Sequence, residues 1–142
     1  MHKRGCDKKN MEFKKITYNQ LNARAKEIYN FQKVSAVLAD YGFATMWLNN
    51  DWEGADFIAV HVDGETYLKV QLKARFTLAD KYRGKGIYVC FREDGETYLY
   101  PHDEVLECMA TSSSDIASQA GGIWSCKQLS KSNKALLQHY CL

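Results

Sequence analysis

Two Asp-Gly dipeptides, at positions 63–64 and 94–95, each separate two runs rich in β-branched and aromatic residues. Asp-Gly is a strong signal for a two-residue turn, since both turn positions need positive φ and the turn then matches the twist of antiparallel strands. The sequence therefore predicts two β-hairpins. Their strands are Ala55–Val62 with Thr66–Lys73, and Ile87–Arg92 with Thr97–Tyr100.

The segment before the first hairpin predicts a helix that runs from Thr17 to Gly42. Thr17 and Gln20 fit a capping box, in which the two side chains bind amides left free at a helix start. Gly42 suits a helix end, and a shift of the apolar face predicts a bend near Tyr29-Asn30. The apolar residues that share one face in its second half are Phe31, Val34, Leu38 and Tyr41.

The remaining pattern predicts a mixed α/β order: helix, three strands, a connection at 74–85, two strands, then helices. The further predicted elements are a strand at Phe43–Leu48, a turn at 49–51, helices at 101–109 and 131–140, and a short helix between loops at 112–114 and 121–122.

The chain has 142 residues and a formal net charge of +2. This length predicts one domain, which we place at residues 16–142 behind a loose basic arm at 1–15. No apolar run approaches the roughly 20 residues of a membrane helix, so no membrane partner is expected. The five cysteines are scattered and form no CxxC pair, which argues against a disulfide framework or zinc site and favours a cytoplasmic protein.

The first hairpin brings three polar side chains together. A two-residue turn at 63–64 places Asp56 directly opposite Gln71, with both side chains on the same side of the sheet. Lys73 also points to that side, because side chains alternate along a strand. Asp56, Gln71 and Lys73 are therefore predicted to converge at the end of the hairpin far from its turn.

Apart from these residues, the hairpin is apolar on both faces, which predicts a central sheet covered by helices. Ile58, Val60 and Tyr67 lie on the Asp56 side, and Phe57 and Val70 lie on the other. A carboxylate, an amide and an ammonium group are costly to bury in such a place unless they pair or bind a ligand.

The segments GADF at 54–57 and KVQLK at 69–73 resemble the PD-(D/E)XK nuclease superfamily, above all its small resolvase-like and intron-associated members. That pattern has an Asp on one strand and (D/E/Q)-x-K on the next, behind a helix that often supplies a Glu. The resemblance covers roughly residues 18–101. It implies a restriction-endonuclease-like mixed sheet flanked by helices: an αβββ core, then a β-hairpin and C-terminal helices.

The resemblance implies a metal-dependent nuclease that hydrolyses phosphodiester bonds, with DNA as the first expectation. Asp56, Gln71 and Lys73 match the motif, and Glu27 is the best helix candidate for a fourth catalytic residue. Asp56, Gln71 and Glu27 would hold Mg²⁺ or Mn²⁺, while Lys73 would orient the attacking water or stabilise charge on phosphorus. Glu27 is in phase with the apolar face of its helix, so we expect it to point towards the sheet.

Four basic residues after the motif are the candidate contacts to nucleic acid: Arg75, Lys81, Arg83 and Lys85. The last three form a basic loop, residues 81–85, that could clamp phosphates or could be only a solvated connection. A homodimer is a further expectation, since small nucleases often pair to cut both strands.

Two alternatives remain open from the sequence. Asp56 and Lys73 could form a salt bridge that closes the sheet edge, with Glu27 solvated or paired with Arg24 or Lys33. The chain could also be a catalytically inactive nuclease-like domain that binds nucleic acid or a protein partner.

Overall fold

The computed structural model describes residues 12–112 and 122–142. Its main sheet has five strands in the order β1-β2-β3-β5-β6, and a two-stranded sheet pairs β4 with β7. The predicted mixed sheet flanked by helices is confirmed. The elements are α1 (Ala23–Asp40), β1 (Phe43–Trp52), β2 (Ala55–His61), β3 (Tyr67–Leu72), β4 (Thr77–Ala79), β5 (Ile87–Glu93), β6 (Glu96–Pro101), α2 (His102–Ser112), β7 (Ile123–Ser125) and α3 (Lys131–Leu137).

The first predicted helix is interrupted earlier than expected. Tyr18–Gln20 forms a separate 3₁₀ turn, and Asn22 begins α1 by accepting a hydrogen bond from the Ala25 amide at 2.8 Å. The interruption thus lies at Leu21-Asn22, where the Asn22 side chain caps the new start, and α1 runs unbroken through Tyr29-Asn30. The helix ends as predicted before Gly42, whose φ of 84° few other residues adopt.

The first hairpin confirms the predicted strand register. Four observed pairs, from Phe57–Val70 to Val60–Tyr67, follow the predicted register. The same register extended by one residue places Asp56 opposite Gln71. The predicted two-residue turn is longer, however. His61 donates its amide to the Thr66 carbonyl at 2.8 Å, which leaves a four-residue loop.

The Asp63 side chain, rather than positive φ at both turn residues, closes this loop. Gly64 has a φ of 74°, but Asp63 is not among the described residues with positive φ. The Asp63 carboxylate instead accepts hydrogen bonds from the Thr66 hydroxyl at 2.6 Å and the Thr66 amide at 2.8 Å. These bonds lower its pKa below the ordinary value. The second hairpin has the predicted turn, with φ of 51° at Asp94 and 80° at Gly95.

The strand β1 runs past the predicted turn at 49–51. It pairs with β2 from Phe43 to Trp47 and again at Trp52–Ala55, so residues 48–51 stand opposite the single residue Asp56. This bulge lengthens the strand, and the reversal occurs instead at Glu53-Gly54, where both residues have positive φ. The bulge separates β1 from β2 beside Asp56.

Each face of the sheet packs against a different layer. One face, with Phe57 and Val70, packs on Val34 and Leu38 of α1. The other face carries Val89 and packs with residues of β4, α2 and α3. This second layer leaves the turn end of the first hairpin uncovered, so Val60 and Tyr67 are exposed. The prediction that this hairpin is covered on both faces was wrong there.

The connection between the parallel strands β3 and β5 contains β4 and a 3₁₀ turn at Asp80–Tyr82. In α3, Ser130 caps the helix start by accepting a hydrogen bond from the Asn133 amide at 3.2 Å. None of the helices in the described ranges combines the length and apolar character needed to cross a bilayer. Most of the basic arm, at residues 1–11, and the short helix predicted between 114 and 121 lie outside the described residues.

Candidate functional site

An open cavity of about 420 Å³ lies at the end of the first hairpin away from its turn. The predicted residues Asp56, Gln71 and Lys73 all line it. Around them stand side chains from α1, the bulge of β1 and the basic loop: Arg24, Asn49, Asn50, Lys81, Tyr82 and Lys85. Among the described side chains, four cations thus face one carboxylate, an environment that favours an anionic ligand.

The backbone of β3 orients the Asp56 carboxylate. Its Oδ2 atom accepts the Leu72 amide at 2.8 Å. One residue further on, the Lys73 amide donates to the Cys90 carbonyl at 2.8 Å. Asp56, Gln71 and Lys73 are each half-buried, which limits the solvent screening of their charges and dipoles.

The buried ring of Tyr82 forms a wall of the cavity and holds two ammonium groups. The Nζ atoms of Lys73 and Lys81 lie 5.6 and 5.2 Å from its centre, within the range of cation–π attraction. Gly54 allows this arrangement, because a Cβ atom there would lie 2.9 Å from Ile87 and 3.3 Å from Tyr82.

His102 and Asp103, at the start of α2, anchor the basic loop. The fully buried His102 accepts the Ala79 amide at Nε2 (3.0 Å), so its Nδ1 atom donates to Asp103 at 2.9 Å. The second oxygen of Asp103 accepts the Gly84 amide at 2.9 Å. The loop is therefore held to the helix on both sides of Lys81 and Tyr82.

These contacts also set the ionisation of Asp103. Burial alone raises its pKa, but the hydrogen bonds from His102 and Gly84, with the charge of Arg83, outweigh burial and lower the pKa below 3.8. Asp103 therefore contributes stability above pH 4, and this contribution is lost as the pH falls through the lowered folded pKa.

We expect Asp103→Asn to lower the free energy of unfolding by about 1 kcal/mol at pH 6, because two charge-assisted hydrogen bonds weaken. The difference from wild type should shrink as the pH falls through the lowered pKa of Asp103 in the folded protein. Urea unfolding of both proteins across this range measures it. A difference that does not change with pH would contradict the assigned role of the carboxylate.

Glu27 does not point towards the sheet as predicted. Its side chain is 46% exposed and pairs with Arg24 at 2.7 Å, which is the alternative that the sequence left open. The reason is that α1 packs on the face of the sheet that carries Phe57, whereas the Asp56 side chain lies on the other face. Arg24 reaches the cavity, and its guanidinium lies 5.9 Å from the centre of the Trp47 ring.

The four predicted nucleic-acid contacts divide into two pairs. Lys81 and Lys85 line the cavity. Arg83 instead pairs with Asp80 at 2.9 Å, and Arg75 lies outside the lining of the cavity. Neighbouring basic residues of a short loop can face different sides. The positive charge of these four residues therefore did not show that all of them line the same cavity.

Sequence reasoning missed Arg24, Asn49, Asn50 and Tyr82 as lining residues. The two asparagines were interpreted as a turn. The pair Glu53-Gly54 could have indicated their position. The chain reverses at this pair, so Asn49 and Asn50 belong to the strand β1.

The donors in the cavity fit a weakly held hard cation. Mg²⁺ takes oxygen ligands, keeps several waters and often uses one or two carboxylates together with substrate phosphates. The carboxylate of Asp56 and the amide oxygen of Gln71 are donors of this kind. Within residues 12–112 and 122–142, no cluster of three His, Cys, Asp or Glu side chains could hold a metal ion.

Two solved structures, both of nucleases, are similar to this chain. One solved structure is Hjc, a Holliday junction resolvase from the archaeal hyperthermophile Archaeoglobus fulgidus, with 19% identity and a TM-score of 0.43 over 55% of this chain and 74% of that one. Another is the bacterial homing endonuclease I-Ssp6803I, with 15% identity and a TM-score of 0.48 over 78% of each chain. No protein-family model and no curated protein sequence matches the chain.

Proposed function

We propose that this protein is a divalent-metal-dependent nuclease that hydrolyses phosphodiester bonds in DNA. The observation that carries the proposal is the cavity itself, where Asp56, Gln71 and Lys73 meet on adjacent strands beside further cations. Phosphodiester hydrolysis needs oxygen ligands for a cation, a positioned water and positive charge around the phosphate. The cavity supplies the oxygen ligands and the positive charge, and Lys73 would position the water.

Asp56 and Gln71 would hold Mg²⁺ or Mn²⁺, and the Leu72 amide keeps the Asp56 carboxylate in place. The bound metal would polarise the phosphate and lower the pKa of a water molecule. Lys73 orients the attacking water or stabilises negative charge that develops on the phosphate. Lys81 and Lys85, which line the same cavity, bind the phosphate backbone.

Incubation with linear, branched and single-stranded DNA and with RNA tests this function. Each substrate is offered Mg²⁺, Mn²⁺ or a chelator. We expect DNA to be cut only in the presence of a divalent metal. The substrate preference separates DNA from RNA, and the mass of the complex in light scattering tests the predicted homodimer.

One observation favours the alternative of an inactive domain that binds nucleic acid. The described part of the chain lacks a cluster of three acidic or other ligating side chains. Calorimetric titration distinguishes the two functions, since an inactive domain would bind DNA but show no saturable binding of Mn²⁺.

Gln71→Glu should tighten Mg²⁺ binding severalfold, because a carboxylate adds ligand charge at nearly constant shape. We expect cleavage to be retained or raised. Calorimetric titration of both proteins measures the effect, and unchanged affinity would place Gln71 outside the metal site.

Glu27→Gln is the matched comparison for this titration. Glu27 serves as a third ligand only if its carboxylate leaves Arg24, with which it pairs at 2.7 Å. A loss of metal affinity in Glu27→Gln would show that it does so in solution. Equal affinity would restrict the site to Asp56 and Gln71.

A further inference from the structure

A second cavity, of about 370 Å³, adjoins the first one at Lys73, which lines both. Its walls come from the 3₁₀ turn before α1, from α1 itself, and from the end of β5 with the turn that follows. The residues that matter here are Tyr18, Tyr29, Asn30, Arg92 and Asp94. Its volume falls within the usual range for small-molecule sites.

Arg92 lines this cavity and carries an unsatisfied donor. Its Nε atom is buried and has no hydrogen-bond partner among the described residues, while its guanidinium carbon lies 5.9 Å from the centre of the Tyr29 ring. Buried donors are seldom left unpaired, since the lost hydrogen bonds to water are costly. The guanidinium group of Arg92, which lines the cavity, would pair with an anionic oxygen there.

The acidic residues nearby do not fill this role. Both carboxylate oxygens of Glu93 face the Leu129 amide, at 3.1 and 3.2 Å. Asp94 belongs to the tight turn after β5, and no ion pair joins it to Arg92 in the described structure.

Two tyrosines give the cavity an aromatic wall. The rings of Tyr18 and Tyr29 lie 5.4 Å apart, and Asn30 donates to the Tyr18 hydroxyl at 2.9 Å. Lys26 and Lys33 place ammonium groups 5.2 and 5.4 Å from the two rings. Aromatic side chains are the usual stacking surface for an unpaired nucleic-acid strand. The cavity itself is lined by two cations and two carboxylates, so its basic character comes from Lys26 and Lys33 beside it.

We propose that the second cavity binds an unpaired nucleotide next to the phosphodiester bond that is cut. Arg92 contacts its phosphate, and Tyr18 packs against its base or sugar. Lys73, which lines both cavities, lies between this phosphate and the reacting one. The inference rests on the proposed nuclease function, and it defines the substrate as a strand that is single-stranded beside the cut.

The test measures binding without cleavage, by fluorescence anisotropy of a labelled oligothymidylate of about ten nucleotides in a chelator. Arg92→Gln should weaken binding about tenfold and reduce the log–log salt slope by about 0.7, because one phosphate contact is lost. Tyr18→Leu should weaken binding about fivefold without changing that slope. Lys131→Gln, which removes an exposed charge on α3 outside both cavities, is the matched control and should bind as wild type.

Arg92→Lys is a second variant that keeps the inference testable if Arg92→Gln does not fold. It keeps the charge but lacks the Nε donor, so binding should be weaker than wild type while the salt slope is kept. A labelled duplex of equal length should not respond to Tyr18→Leu.

Wild-type affinity in both Arg92→Gln and Tyr18→Leu would overturn the inference, as would an equal effect of Tyr18→Leu on the duplex. If these variants bind normally while wild type still cuts DNA with metal, only this inference fails. If wild type neither binds nor cuts any nucleic acid, the proposed function fails with it.

Discussion

Asp56→Asn and Lys73→Ala are each expected to reduce metal-dependent DNA cleavage by at least about 100-fold. Asp56 supplies the only carboxylate among the described side chains that line the cavity, and in the proposed mechanism Lys73 would supply charge close to the reacting phosphate. Loss of one group that stabilises a transition state typically costs 10²–10³ in rate. Single-turnover cleavage of labelled DNA, with saturating protein and Mg²⁺, measures the chemical step.

Lys69→Ala is the matched control for Lys73→Ala. Lys69 lies on the same face of β3, but its ammonium group pairs with Glu53 at 3.1 Å and does not line the cavity. We expect it to cut DNA at close to the wild-type rate. Wild-type rates in Asp56→Asn or Lys73→Ala would place the active site elsewhere or reveal a contaminating nuclease, provided that thermal melting shows intact folds.

The double variant Lys81→Gln/Lys85→Gln should weaken DNA binding about tenfold or more. Both side chains line the cavity, so their loss removes two phosphate contacts. The log–log slope of affinity against salt should become shallower by about 1.8 for duplex DNA. Anisotropy measured in a chelator over a series of salt concentrations gives both quantities.

Arg83→Gln and Arg75→Gln provide the comparison within the same segment. Arg83 pairs with Asp80, and Arg75 lies outside the cavity lining, so neither should change the slope as much as one lysine does. If the salt dependence of DNA affinity is unchanged in the double lysine variant, the basic loop does not contact phosphates and is only a solvated connection.

The first hairpin shows how far local sequence reasoning reaches. The predicted register is present although the turn differs, because a four-residue loop centred on Asp63-Gly64 keeps the same strand residues opposite each other. The pairing that brings Asp56 to Gln71 was therefore predictable. The Asp63 side chain bonds that close the loop were not, since they depend on the position of Thr66.

Glu27 shows where periodicity fails. Its spacing from Phe31 suggested a core-facing side chain, yet α1 covers the face of the sheet that carries Phe57, away from Asp56. Which face a helix covers is decided by the packing of the whole layer. Glu27 therefore pairs with Arg24 at the surface and does not face the sheet.

Local sequence was enough to predict the order of the helices and of the five strands of the main sheet, but not β4 or β7. It also predicted the register of the first hairpin and the convergence of Asp56, Gln71 and Lys73, because turns and side-chain alternation act over a few residues. The tertiary structure decided the bulge opposite Asp56, the anchoring of the basic loop by His102 and Asp103, and the second cavity beside Arg92. These features join residues far apart in the chain, and their contacts exist only once both layers have packed against the sheet.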